Sequence, residues 1–375
     1  MRKNICELCS SISDTYKGNA EKVVLINTSD VYDGKCTNHT FVENKQLRGQ
    51  FKKTFKPNDI LYSEIRPANR RFAYIDFDTN NYIASTKLMV LRAKEGVNPK
   101  YLYQILRGNS TINALQLLAE SRSGTFPQIT FSELSNIEVN VPAEDIQNMV
   151  VSILSSLDAK IETNNKLNEK LEEMAQAIFK SWLDGCDETV QIDDLSLNIT
   201  DYSKLNKDKV ILINSSDVTN GFFDHHNYSD NNKLKGHFKK RFSKGDILYS
   251  QVRPRNRHWA YCYFDAEDYI ASTQLMVIRN NPEKVSSLLL YQYLISDRVW
   301  NEFTLKTETR SGTFPQGNYE DLSKICVPYK KDNEKISKTL EHIYNIIYNR
   351  YDENQRLASL RDTLLPRLMS GEIKI

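Results

Sequence analysis

One part of this sequence is written twice. VVLINTSDVYDG at Val23–Gly34 returns as VILINSSDVTNG at Val210–Gly221, and SRSGTFPQ at Ser121–Gln128 returns as TRSGTFPQ at Thr309–Gln316. Leu47–Ala93 returns without a gap as Leu234–Asn280, with 28 of 47 positions identical. The offset is 187 early and 188 late, so the second copy carries one extra residue between about 281 and 290. A repeat of this length is a duplicated domain and no short-period solenoid. Every motif in one copy can therefore be tested against the other.

Size agrees with two units, since 375 residues exceed one typical domain. Hydrophobic content of 40% with 26% charged residues describes an ordinary folded protein. The N-terminus carries no basic segment followed by an apolar run, so no signal peptide is expected. No stretch approaches the roughly 20 apolar residues that span a bilayer, so no membrane partner is expected. Cysteines at 6, 9, 36, 186, 262 and 326 are too sparse for a disulfide scaffold, and a cytoplasmic location is expected. A net charge of +2 leaves only a local surface for nucleic acid.

Within each copy the pattern is mixed. β-Branched and aromatic runs at Val23–Ile26, Asp59–Ile65, Phe72–Phe77 and Leu88–Arg92 predict strands. Asn58-Asp59, Lys244-Gly245 and Asp78–Asn81 predict turns. Helix-spaced apolar residues predict one helix over Tyr101–Leu118 and another over Leu288–Phe303. The fold class is α+β, with two similar mixed α/β domains over 1–142 and 186–330.

Each domain is followed by a long amphipathic segment, 143–185 and 331–375. In the first, Glu144 and Asp145 suit a helix start and Gly185 a helix end. Its apolar seam is Ile153, Leu157, Ile161, Leu167, Leu171, Met174 and Ile178, with Asn164 in the gap. In the second, the seam is Ile336, Leu340, Ile343, Ile347, Tyr351, Asn354, Leu357, Leu360 and Leu364, before Pro366 interrupts. A helix over 143–183 would be about 60 Å long. Either each helix packs on its own domain, or the two pair as a coiled coil with Asn164 and Asn354 fixing register. If antiparallel, the pair puts a pseudo-twofold axis between the copies.

Charge is concentrated in one place per copy. Lys45, Arg48, Lys52, Lys53, Lys56, Arg66, Arg70 and Arg71 oppose only Asp59 and Glu64. Lys233, Lys235, Lys239, Lys240, Arg241, Lys244, Arg253, Arg255 and Arg257 oppose only Asp246. Aromatic residues such as Tyr74 and Tyr261 are interleaved with them, which suits phosphate contacts plus stacking. A solvated strand face is the alternative. Within SEIRPANRRFAY (Ser63–Tyr74) and SQVRPRNRHWAY (Ser250–Tyr261), Arg66, Pro67, Asn69 and Arg70 recur as Arg253, Pro254, Asn256 and Arg257. Arginine and asparagine read guanine and adenine edges through paired hydrogen bonds. Arg66-Pro67 could equally serve only to shape a turn. The loops holding Arg122, Ser123, Thr125 and Gln128, and Arg310, Ser311, Thr313 and Gln316, could touch DNA or act as hinges into the helices.

Catalytic signals are weak, and no catalytic residue, metal ligand or cofactor is assigned. There is no GxxxxGK[ST] loop and no glycine-rich dinucleotide turn after a strand. Asp59 with Glu64 faintly resembles a nuclease carboxylate pair, but the second copy has Gln251 in place of Glu64. Cys6-x-x-Cys9 with Cys36-x-x-His39 has zinc-like spacing, but Asp193, Ser196, Phe223 and His226 stand at the matching positions.

The layout, with SGTFPQITFSELSNIEVNVP (Ser123–Pro142), LDAKIETNNKLNEKLEEMAQAIFKSWL (Leu157–Leu183) and LRDTLLPRLMSGEIKI (Leu360–Ile375), resembles the specificity subunit of type I restriction–modification systems. That resemblance covers nearly the whole chain. It implies two target-recognition domains, each reading half of a bipartite site in double-stranded DNA, spaced by an antiparallel coiled coil. It implies no catalysis in the subunit itself, with adenine methyltransferase (M) subunits and ATP-driven restriction (R) subunits as partners. Two domains this alike imply similar, inverted half-sites, with Gln50/His237, Thr54/Arg241, Ala68/Arg255 and Arg71/His258 as the points of asymmetry. The helices' outer faces, including Phe179 and Trp182, are expected to recruit the methyltransferase. A stand-alone DNA-binding regulator and a metal-dependent nuclease are the alternatives.

Overall fold

The computed structural model describes residues 1–45, 49–121, 127–231, 236–309 and 315–373. These form two compact units, Met1–Thr163 with Glu353–Ile375, and Asn164–Asp352.

In the first unit, two four-stranded sheets share a core. One has the order Phe41–Glu43, Lys22–Ile26, Tyr82–Ser85, Phe51–Lys53, with a parallel central pair. The other is wholly antiparallel, in the order Cys9–Ile12, Leu88–Ala93, Ile60–Ser63, Phe72–Tyr74. Side chains alternate across a strand. Leu61, Ala73, Leu88 and Val90 therefore meet Val24, Ile26 and Ala84 of the first sheet. Ile60, Tyr62, Phe72, Met89 and Leu91 face the helices on the other side. Burial on both faces explains why these strands read as nearly continuous apolar runs. The second unit repeats the plan, with Tyr228–Asp230, Lys209–Ile213, Tyr269–Ser272 and Phe238–Lys240 in one sheet, and Ser196–Asn198, Leu275–Asn280, Ile247–Ser250 and Trp259–Tyr261 in the other.

Four expectations shift. The helix expected over Tyr101–Leu118 is two, Pro99–Arg107 and Asn109–Ser121, broken where Gly108 turns extended at ψ 139°. The one over Leu288–Phe303 is also two, Ser287–Ile295 and Asp297–Glu308, because Ser296 leaves the helix and its side chain accepts from the Val299 amide. The strands expected over Asp59–Ile65 and Phe72–Phe77 shorten to Ile60–Ser63 and Phe72–Tyr74. Pro366 does not interrupt the last helix, which runs from Glu334 to Ser370. Proline removes one hydrogen bond and crowds the preceding turn, but Leu365 and Leu368 on either side are buried in the core of the first unit.

The first long helix spans Glu144–Leu183. In each unit a part of it lies against a part of the second. In the first unit Asp158 holds Arg361 and Arg107, each at 2.8 Å, and Lys160 pairs with Glu353 at 3.6 Å. In the second, the Asn168 side-chain amide donates to the Ile347 carbonyl at 3.1 Å. Asn164 and Asn354 are both buried, as their place on the seam predicts. In the first helix the seam sits about one residue round from the expected one. Val150, Leu154, Ala175 and Phe179 are buried, whereas Leu167 and Met174 are 43% and 44% exposed. In the second helix Ile336, Leu340, Ile343 and Ile347 are buried where the seam placed them, and only toward its end does the seam shift, with Leu360 exposed and Arg361, Leu365 and Leu368 buried. Phe179 is not on an outer face: it packs edge-on against Tyr293, with Trp182 stacked on it. Each long helix thus contributes to both cores, Val150 and Leu154 of the first with Leu365 of the second in one unit, and Phe179 with Leu340 in the other, and in each unit the two helix parts lie together.

Burial pushes the Glu172 carboxyl up to about 6 from 4.5 in the second unit, beside the tyrosines Tyr344, Tyr291 and Tyr348. A raised acid binds its proton more tightly when folded, so its ionised form at pH 8 weakens the fold, and stability returns as pH falls from 6 through 4.5. Glu172→Gln should therefore stabilise the protein at pH 8 by about 1–2 kcal/mol. The gain should disappear below about pH 4.5. Thermal melts of both proteins across this range check it; a gain independent of pH would refute the assignment.

Among the described residues no helix is long and apolar enough to cross a membrane.

Candidate nucleic-acid interface

The recurrent Arg-Pro-x-Asn-Arg segment is the tip of a hairpin. In the first unit it links the strands Ile60–Ser63 and Phe72–Tyr74; in the second it links Ile247–Ser250 and Trp259–Tyr261. Pro67–Asn69 forms a single 3-10 turn between Arg66 and Arg70, both left-handed at φ 46° and 52°. Pro254–Asn256 does the same between Arg253 and Arg257, at φ 49° and 52°. Left-handed arginine is strained, of order 1–3 kcal/mol each, and persists only where its surroundings impose it. Here the imposing contacts are visible. Pro67 and Pro254 are buried. The Ser63 and Ser250 hydroxyls accept from the amides of Ile65 at 3.0 Å and Val252 at 3.1 Å. The Arg70 guanidinium reaches Asp33 at 2.8 Å and Asn109 at 3.2 Å. Arg257 stacks on Trp300 at 4.2 Å, and the Trp300 indole donates to the Pro254 carbonyl at 2.9 Å.

A second recurrent segment meets the first. The Arg66 amide donates to the Pro127 carbonyl and the Arg253 amide to the Pro315 carbonyl, each at 3.0 Å. Ile65 bridges to Gln128 and Val252 to Gln316. Two motifs about sixty residues apart thus form one surface in each unit. Arg122, Ser123, Thr125, Arg310, Ser311 and Thr313 lie outside the described residues. Gln128 and Gln316 are half-buried and exposed, respectively, beside the tip.

The expected contact residues divide into groups. Arg66, Asn69, Arg253, Arg255 and Asn256 are exposed at the tip, and Lys52 and Lys239 are exposed on their strands. Arg255 is ion-paired with Glu308. Arg70 and Arg257 brace the turn. Arg71 donates to the Ser29 carbonyl at 3.1 Å and lies over Tyr32, and Arg241 donates to the Glu267 carbonyl at 2.8 Å. Lys53 and Lys240 are turned inward, their ammonium groups on the carbonyls of Leu88 at 2.8 Å and Leu275 at 2.7 Å. Burial holds both below the usual lysine range. Lys240 is only 6% exposed, so it braces a sheet and is not available as the DNA contact expected of it. Tyr261 is also buried, bonded to Ser287 and stacked on Tyr348, while Tyr74 is bonded to Asn58. The Tyr261 ring is thus closed to a base, and Tyr74 has Lys100 over its ring at 5.9 Å and Tyr103 beside it at 5.6 Å.

Sequence reasoning missed the bracing residues Asp33, Asn109, Trp300 and Glu308, and Gln116, whose side-chain oxygen accepts from the Ala68 amide at 3.0 Å. Asp33 lay within the repeated Val23–Gly34 segment, which was the available signal. Gly34 beside it has φ 99°, and an added Cβ would stand 2.1 Å from the Tyr103 hydroxyl, so only glycine fits.

The faint nuclease and zinc patterns have other roles. Asp59 is fully buried and chelates Arg92 at 2.7 and 2.8 Å, and Asp246 does the same to Arg279 at 2.6 and 2.8 Å. His39 bonds the Tyr82 hydroxyl and His226 that of Tyr269, so the histidine serves the fold in both copies. Among the described residues no group of three or more histidine, cysteine or acidic side chains could hold a metal ion.

The sequence matches the family model described as type I restriction modification DNA specificity domain over residues 3–173 and again over 188–358. It is 44% identical over 178 residues to the type I restriction enzyme HindI specificity subunit of Haemophilus influenzae, covering 47% of this chain and 39% of that subunit. The chain therefore spans well under two thirds of that relative's length. It is 21% identical over 316 residues to the type I restriction enzyme MjaIX specificity subunit of Methanocaldococcus jannaschii, covering 75% and 71%. The solved S subunit of a type I restriction-modification system from M. genitalium is similar with a TM-score of 0.52 at 15% identity, over 98% of this chain and 95% of that one. At that identity the likeness bears on the fold alone.

Proposed function

The chain belongs to the type I restriction modification DNA specificity domain family, and from that membership we propose that it is the sequence-reading subunit of a restriction–modification complex. Each unit reads one half of a bipartite, near-palindromic site in double-stranded DNA. The subunit has no catalytic centre of its own. It positions adenine methyltransferase subunits, and with them restriction subunits, on the site, in the cytoplasm. The observation that supports this reading is the strained Arg-Pro-x-Asn-Arg turn, built the same way in both units on a buried proline and a serine, while its second arginine is held by Asp33 and Asn109 in one unit and by Trp300 in the other. Strain preserved in this way marks a functional surface. Arginine and asparagine on its exposed tip are suited to base edges in a major groove.

Mapping methylated adenines in cells carrying this chain and its methyltransferase tests the reading. The expected result is one interrupted target with two similar halves. Two unrelated halves would refute the near-palindrome, and methylation without sequence preference would refute the reading itself. Removing one heptad from each long helix should change the spacer length or abolish binding; an unchanged target would show that the helices do not set the spacer.

A further inference from the structure

The backbone beside each tip continues into a row that the sequence does not reveal. In the first unit the Thr86 amide donates to the Gln50 carbonyl at 2.7 Å, the Glu64 amide to the Lys87 carbonyl at 3.1 Å, and the Ile129 amide to the Glu64 carbonyl at 2.8 Å. In the second unit the Thr273 amide donates to the His237 carbonyl at 2.8 Å, the Gln251 amide to the Gln274 carbonyl at 2.9 Å, and the Gly317 amide to the Gln251 carbonyl at 2.9 Å. Four segments distant in sequence are thereby tied side by side, ending at the tip arginine. Four side chains mark the row: Gln50, Lys87, Glu64 and Gln128 in one unit, and His237, Gln274, Gln251 and Gln316 in the other. All are exposed or half-buried. Among the described residues, no side-chain hydrogen bond or ion pair holds Gln50, Lys87, Glu64 or Gln128.

The backbone ties are the same in both units, but the side chains differ at three positions of four. Lysine only donates, glutamate only accepts, and glutamine does both. Lysine suits the acceptors of guanine, glutamate the amino group of cytosine, and glutamine the paired donor and acceptor of adenine. A frame held constant while its polar groups change is what separates positioning from base reading.

The geometry points to this row as the specificity-determining element of each unit, with Glu64 and Lys87 giving the first unit a base preference that Gln251 and Gln274 do not give the second. The inference rests on the DNA-reading function above. It makes the two half-sites similar but unequal, with the inequality placed at these positions.

The test is a reciprocal exchange in the full chain, Q50H/E64Q/K87Q and, separately, H237Q/Q251E/Q274K, each produced with the methyltransferase and read by mapping methylated adenines. In the first variant, one half of the target should change by at least one base pair, toward the base at the matching position of the other half. The second half and the spacer should be unchanged. The preference altered should be roughly ten- to hundredfold at that base pair. The second variant should alter only the other half. An unchanged target in both variants, a change spread over both halves, or loss of all methylation in a variant with the wild-type melting temperature would overturn the assignment. If one variant fails to fold, the other decides. Failure of the DNA-reading function itself is distinguishable, because the unaltered chain would then yield no bipartite target.

Discussion

Arg92→Met should destabilise the first unit by about 3–5 kcal/mol at pH 7, and Arg279→Met should do the same to the second. Asp59 and Asp246 are fully buried, and each meets the guanidinium through both carboxylate oxygens. Removing the arginine strands a buried negative charge, with the amides of Lys56 at 2.8 Å and Ser243 at 2.7 Å left beside it. The opposite change costs less. Arg92 and Arg279 side chains are 30% and 41% exposed, so Asp59→Asn leaves a cation that water can reach, at about 1–3 kcal/mol. Urea melts at pH 7, with R92M/D59N recovering most of the loss, measure this. An R92M loss below about 0.5 kcal/mol at pH 7 would refute the account.

Arg66→Ala with Asn69→Ala should weaken binding to the specific target by about a hundredfold or more, on the scale of 1–3 kcal/mol per base-reading side chain. Arg253→Ala with Asn256→Ala should match it. The loss should be confined to one half-site per pair. A duplex with that half scrambled should bind wild type and variant equally, while a duplex scrambled in the other half should still separate them. Titrating labelled duplexes with the subunit–methyltransferase complex, at one fixed salt concentration, makes the comparison. Arg70→Ala differs in kind. It releases the brace to Asp33 and Asn109, so it should lower the melting temperature as well as affinity. If R66A/N69A lost affinity equally for every duplex, the tip would touch phosphate and not bases.

Much of this was legible because the chain carries its own comparison. The duplication separated features common to both copies, such as the Arg-Pro-x-Asn-Arg turn, from those private to one, such as the Cys6/Cys9 spacing. Both long helices were legible from periodicity, and so was the inward face of the second at Ile336, Leu340, Ile343 and Ile347, but not that of the first helix nor that of the second near its end. Ala175 carries little weight in an apolar count yet is buried, and Arg361, buried and paired with Asp158, carries none. Leu167 and Met174 drew the seam toward solvent. Lys53 could have been recognised, since alternation along Phe51–Lys53 sets it on the opposite face from Lys52. The division of labour between Arg66 and Arg70 could not, because it depends on Asp33 and Asn109, nearly forty residues away in either direction. The row through Gln50, Lys87 and Glu64 was hidden for the same reason. It consists of long-range backbone pairings that leave no periodicity.

The first unit is discontinuous in sequence, whereas the second is a single run inserted into it. During synthesis the ribosome makes most of the first unit before any of the second, yet Leu365 and Leu368, which close its core, come only after all of the second. Until they are made, the first unit waits with apolar surface exposed. A stop codon after Asp352 would therefore spare the later unit and cripple the earlier one. The stretch after Asp352 acts as a seal on the first unit, so a chain ended before it should be a target for chaperones and proteases.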